Sequence, residues 1–232
     1  MKIGILLHPY GEKEPAGLGR AIFELTKAMI AVAPEHEFLL FVKGNPSGTP
    51  DFSGTNWHMH SLGNGPLWLN RLRRAPSADI YLFNTPILPY FWGRKSVVLA
   101  LDFAYRLIPP RSPGEMLWRL ALSRYHRFSL SRASRIAAIS DATKRDAIRL
   151  FGVREDKIST VRLGFNAICS LPEVRCAAPE KFFLFVGVLK ARKNVHNIIR
   201  AFARFHSRHP EYTLLIVGRA AGSYADQLRQ LV

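Results

Sequence analysis

The residues best suited to chemistry form a short basic run, Lys190-Ala191-Arg192-Lys193, which follows Gly187 and precedes Asn194 and a segment of helical apolar period. Asn194 reads there as a helix N-cap, so three cations stand where the positive end of a helix dipole disfavours them. An anion sharing the site removes that cost, and phosphate or pyrophosphate is the group a helix start is suited to hold. A solvated basic loop is the plainer alternative. A second loop of this kind is Gly17-Leu18-Gly19-Arg20, where backbone N–H groups opening a helix could meet a phosphate. A tight turn using glycine at positive φ would explain the same residues. No third glycine follows near position 22 and no Gly-Lys-Ser/Thr occurs, so neither the dinucleotide fingerprint nor the P-loop is present. Asp102 ends an apolar run, which places a carboxylate at the end of a strand, where open α/β sheets bind ligands. It is the candidate catalytic residue, with a loop cap as the alternative. The histidines and cysteines show neither metal-ligand spacing nor a nucleophile constellation, so no metal and no cofactor is expected.

Charge adds a further expectation. The 232 residues carry 33 Lys plus Arg against 17 Asp plus Glu, a net +16, so an anionic partner is expected. Residues 111–135 concentrate that charge, with six arginines against Glu115 and with Trp118, Tyr125 and Phe128 interleaved. The period puts Leu117, Leu120, Ala121, Tyr125 and Phe128 on one helical face, expected to pack inward, with Arg119 and His126 opposite. Arg119, Arg124, Arg127 and Arg132 are the expected membrane-facing or acceptor-facing cations. A surface helix packed on its own sheet is the alternative, and the two are compatible.

These residues need a scaffold, and the pattern supplies one. Apolar, β-branched runs alternate with helical periods nearly from end to end, the signature of an α/β chain with a parallel sheet. Strands are expected at 2–7, 37–42, 57–62, 79–84, 96–101, 135–139 and 157–163. A helix after the first loop should bury Leu18, Ala21, Ile22, Leu25, Ala28, Met29 and Val32. Further helices are expected near 115–132 and at 141–151, the latter capped by Ser140 and stopped by Gly152. The periodicity lapses over 166–180, which contains Pro172, Cys169 and Cys176. Residues 1–168 are therefore read as a Rossmann-like domain, 169–178 as a linker and 179–232 as the beginning of a second domain, with strands at 182–189 and 212–217 and helices at 195–206 and from 223. The apolar opening run is too short for a signal peptide, and no stretch is long enough to span a bilayer, so a cytoplasmic protein, soluble or peripheral at the inner face of the membrane, is the expectation.

The run Phe-Leu-Phe-Val-Gly-x-Leu-x-x-Arg-Lys-Asn-Val, then Ile-Ile-x-Ala-Phe and Leu-Leu-Ile-Val-Gly, resembles the start of the donor-binding domain of family 4 glycosyltransferases with the GT-B fold. Gly17-Leu18-Gly19-Arg20 is similar to that family's acceptor-side glycine loop, and 136–152 to the strand and helix before its interdomain crossing. The resemblance implies two Rossmann-like domains, the second truncated, and transfer of a hexose-type sugar from a nucleotide-sugar donor to a glycan or lipid-linked acceptor hydroxyl, with retention and without metal. It implies donor-phosphate contacts from Lys193, Arg192, Lys190 and Gly187, faced by Gly17, Leu18 and Gly19. Given the charge, an acceptor at the inner face of a membrane, in cell-envelope polysaccharide biosynthesis, is the expectation. Three positions depart from the pattern: Val188 where a basic residue is frequent, Leu101 where a histidine precedes the aspartate, and Leu163 where Asn-Gly is common. These departures keep a non-catalytic remnant open. A polyanion-binding α/β protein is the other alternative, although no recognition helix or aromatic-basic strand points to nucleic acid.

Overall fold

The computed structural model describes residues 1–10, 17–46, 48–110, 112–164, 178–219 and 224–231. Two compact units result, Met1–Phe165 and Asn166–Val232. The expected linker at 169–178, with both cysteines, lies outside the described residues except for residue 178.

The first unit is a seven-stranded parallel sheet. Its strands are β1 (Lys2–Leu6), β2 (Glu37–Val42), β3 (Trp57–Ser61), β4 (Ile80–Phe83), β5 (Ser96–Ala100), β6 (Arg135–Ala138) and β7 (Ile158–Thr160), in the order β3-β2-β1-β4-β5-β6-β7. A parallel sheet needs cover on both faces, and β2 shows why an unbroken apolar run serves. Phe38, Leu40 and Val42 enter one core cluster with Ile5, Leu7 and Ile22. Leu39 and Phe41 enter the other with Tyr81, Phe83 and Val98.

Helices α1 (Gly17–Val32), α2 (Ala104–Leu107), α3 (Pro113–Arg132) and α4 (Asp141–Phe151) complete the unit, with a 3-10 turn at Trp68–Arg73. For α4 the expected punctuation is present. Ser140 Oγ accepts from Thr143 N at 3.1 Å, and Gly152 takes the left-handed conformation while its N–H donates to Ile148 O.

Two helix faces differ from expectation. In α1 the buried residues are Gly19, Ile22, Thr26 and Ile30, whereas Val32 and Ala28 are exposed. Thr26 is accommodated because its hydroxyl donates to Ile22 O at 2.7 Å, which removes the penalty that a buried hydroxyl would otherwise carry. In α3 the expected faces are reversed. His126, Ser129 and Leu130 are buried, while Leu117, Leu120 and Ala121 face solvent and Tyr125 and Phe128 lie half-buried on the flank. Arg119, expected to face outward, turns inward instead: its guanidinium donates to Tyr105 O at 2.9 Å and to Ile108 O, and pairs with Glu115 at 2.5 Å. One terminal nitrogen serves both carbonyls and the other the carboxylate, which no apolar side chain at 119 could do.

The second unit pairs β8 (Phe182–Val186) in parallel with β9 (Thr213–Val217) and adds α5 (Val195–His206) and α6 (Tyr224–Arg229). The apolar side of α5 is as expected: Val195 and Ile199 are buried, and Ile198, Phe202 and Phe205 are partly so. Phe183 meets Phe202, Phe205 and Tyr212 with ring centroids 5.4–6.2 Å apart.

Candidate functional site

Strand order reverses between β1 and β4, which makes the carboxyl ends of those two strands the crevice where an open α/β sheet takes a ligand. His8 follows β1 there, and Asn84 follows β4. Asn84 is fully buried, its Nδ2 donates to His8 O, and its Oδ1 accepts no hydrogen bond. Two strand ends are thus clamped by one amide, at the expense of an orphaned buried acceptor. The indole of Trp68 lies 5.1 Å from the His8 ring. Sequence reading passed over Asn84, because an isolated asparagine after a strand looks like an ordinary loop residue; its signal is positional and needs the strand order.

On the same sheet edge α1 begins at Gly17. Gly17 and Leu18 are accessible and Gly19 is buried. A Cβ at Gly17 would meet nothing within 4 Å, and its φ is not positive. Among the described residues, neither turn geometry nor packing therefore demands glycine at 17.

Asp102 sits at the end of β5, exposed, with Oδ1 accepting from Ala104 N at 3.0 Å. That contact is the loop-cap geometry. The strand end before it is held firmly: Thr143 Oγ1 donates to Leu101 O at 2.9 Å and lies 3.0 Å from Ser140 Oγ.

In the second unit the basic run occupies the carboxyl end of β8. Lys190 is extended, Ala191–Lys193 is a 3-10 turn, and Asn194 adopts the left-handed conformation at φ 57° before α5 starts. Asn194 makes no side-chain cap, which corrects the expected N-cap; its carbonyl instead accepts from Asn197 N and Ile198 N. A side-chain cap requires an extended residue, and the left-handed turn excludes it. At the helix start, the Tyr224 hydroxyl lies 3.4 Å from His196 N and 3.2 Å from its Nδ1.

Lys190, Arg192 and Lys193 are all exposed, and none forms an ion pair among the described residues. The loop carrying them is tied to β9, with Gly187 N donating to Val217 O and Leu189 N to Arg219 O, both at 2.9 Å. The backbone of Arg219 thereby lies beside the basic loop, a neighbour the sequence reading missed because it lies 26 positions beyond Lys193 and is brought near only by strand pairing. Gly218 makes the pairing feasible. A Cβ there would fall 1.8 Å from Gly187 O, so the backbones pass too closely for any side chain. Among the described residues no group of three His, Cys, Asp or Glu is placed to hold a metal ion.

Seven parallel strands in this order, followed by a second βαβ unit, define the α/β class of the GT-B fold. Residues 173–232 match the family model described as Glycosyl transferases group 1. Three solved structures share the fold. A trehalose-6-phosphate protein from E. coli bound with UDP-2-fluoro glucose matches with TM-score 0.61 and 9% identity, over 100% of this chain and 68% of that one. The apo lipopolysaccharide outer core galactosyltransferase WaaB matches with TM-score 0.55 and 16% identity, over 100% and 64%. A glycosyltransferase from Rickettsia africae matches with TM-score 0.56 and 13% identity, over 99% and 64%. The chain spans about two thirds of the length of these structures. No curated protein matches the sequence.

Proposed function

We propose that the protein transfers a hexose-type sugar from a nucleotide-sugar donor to a hydroxyl of a glycan or lipid-linked acceptor, with retention at the anomeric carbon. The observation that carries this reading is the set of exposed cations, Lys190, Arg192 and Lys193, presented without acidic partners among the described residues on one turn ahead of α5, inside the segment that matches the group 1 family. Breaking a bond between a sugar and a diphosphate leaves negative charge on the departing phosphate. Fixed cations aimed at that charge stabilise the transition state more than the ground state. In this reading Lys193 stabilises the leaving diphosphate, Arg192 and Lys190 hold it, and the Gly187 backbone allows close approach. Charge neutralisation by side chains makes the step metal-independent. On the first unit the Gly17–Gly19 backbone and Asp102 belong to the acceptor side, and Asn84 holds the strand ends that shape it.

The test is release of nucleoside diphosphate from a panel of nucleotide sugars by the full gene product. Lys193→Ala should lower turnover at least about tenfold, about 1.4 kcal/mol, with the melting temperature unchanged because the side chain is exposed. Unaltered turnover would refute the role of Lys193, and absence of turnover with every donor would favour the non-catalytic remnant.

A further inference from the structure

Reversal of the α3 faces leaves apolar side chains in water. Leu117 is 71% exposed, Trp118 59%, Met116 53% and Leu120 45%, all within two turns at the start of the helix, and Leu107 at the end of α2 is 51% exposed. Such a cluster is a liability for a surface with no partner. It is also held in place. Arg119 bridges α3 to the carbonyls of Tyr105 and Ile108, and the Tyr105 hydroxyl lies 3.0 Å from His126 Nδ1, so α2 and α3 form one braced hairpin.

Behind the apolar tip the exposed face turns cationic. Arg124, Arg127 and Arg132 are exposed, and on helical rise Arg124 and Arg127 stand roughly 10 and 15 Å beyond Leu117. Between Asp102 and Asp141 the sole acidic residue is Glu115, and it is paired with Arg119. The surface thus presents an apolar end followed by unopposed positive charge.

We propose that the α2–α3 hairpin docks on an anionic lipid bilayer, the apolar tip entering the boundary between headgroups and acyl chains and the three arginines meeting lipid phosphates. Depth and charge agree: interfacial helices bury their apolar side about 5–10 Å, and each arginine near an anionic surface adds about 1 kcal/mol. A second copy of the chain fits less well, because a self-complementary contact would bring two sets of arginines into one interface with no acidic residue of this segment free to oppose them. Nucleic acid would satisfy the arginines but leave Leu117 and Trp118 in water. Among the described residues no helix is long and apolar enough to cross a membrane.

The experiment is co-sedimentation with vesicles of phosphatidylcholine alone and of equal parts phosphatidylcholine and phosphatidylglycerol. Binding is expected to the mixed vesicles and to weaken with added salt, since exposed charges screen over about 8 Å at physiological ionic strength. Replacing Leu117 and Trp118 together by serine should lower partition to mixed vesicles at least about tenfold with the melting temperature retained. Arg124→Gln with Arg127→Gln should lower it as well and flatten the salt dependence. Equal binding of the unaltered protein to both vesicles, no binding to either, or a serine variant that binds normally would overturn the proposal. Loss of a dimer in the serine variant with vesicle binding intact would assign the face to a second copy and overturn it too. No sugar donor enters the assay, so its failure leaves the sugar-transfer reading standing.

Discussion

His126 shows how one buried side chain couples the scaffold to solution conditions. It is almost fully enclosed between Phe103, Tyr105 and Phe151, and desolvation pushes its pKa down from 6.5 to about 4. A base whose folded pKa lies below its unfolded value stabilises the fold when neutral. That contribution is complete above pH 6.5 and is lost as pH falls from 6.5 towards 4, on the order of 3 kcal/mol at most. We predict that thermal melts will lose stability over this window and that His126→Gln will shrink the loss. An unchanged pH slope in that variant would assign the effect to other groups. Lys193 is the opposite kind of residue: exposed and free of packing, it should matter to turnover and not to melting, as tested above.

At the scale of elements, the closest constraint is the pass between β8 and β9. Gly218→Ala sets a methyl group against the Gly187 carbonyl, and backbone atoms cannot yield as a flexible side chain would. The substitution should cost roughly 2 kcal/mol or more and displace the loop that presents Lys190 to Lys193. Gly187→Ala is the control, since its Cβ would meet only the Phe185 ring, at 3.4 Å, an ordinary contact. Hydrogen exchange of β8 and β9 amides reads the difference: faster exchange in the first variant with little change in the second. Equal behaviour of the two would remove the close pass as the reason for glycine at 218.

For the whole molecule, the two units differ in how completely their sheets are covered. β2 has neighbours on both sides and buried side chains on both faces. Among the described residues β8 pairs with β9 alone, and Phe182, Phe183, Leu184 and Val186 are 41–68% exposed. Local opening free energy follows buried apolar contact, so backbone amides of β1, β2 and β4 should exchange at the global unfolding rate and those of β8 much sooner. Protection of β8 equal to that of β2 would contradict this. A bound donor would raise β8 protection in proportion to its concentration over its Kd, which links the second unit's order to the proposed function.

Local chemistry was legible in the sequence wherever a residue's role depends on its near neighbours. Ser140 and Gly152 bound α4 because capping and left-handed stops are decided within four residues, and β1, β2, β4 and β5 follow from apolar runs that only a covered parallel sheet can bury. The basic run at 190–193 was equally visible, since charge beside a helix start is a local arrangement. Tertiary structure decided the rest. Asn194 looked like a cap, but the backbone enters α5 through a left-handed turn set by the loop's attachment to β9. Asn84 and Arg219 acquire their places only through strand order and pairing. The face of α3 that packs inward is chosen by the carbonyls and rings it meets, which accept Arg119 and His126 and leave Leu117 and Trp118 outside. Periodicity counts apolar residues along one helix, whereas burial is settled by what lies opposite it, and that partner is written elsewhere in the chain.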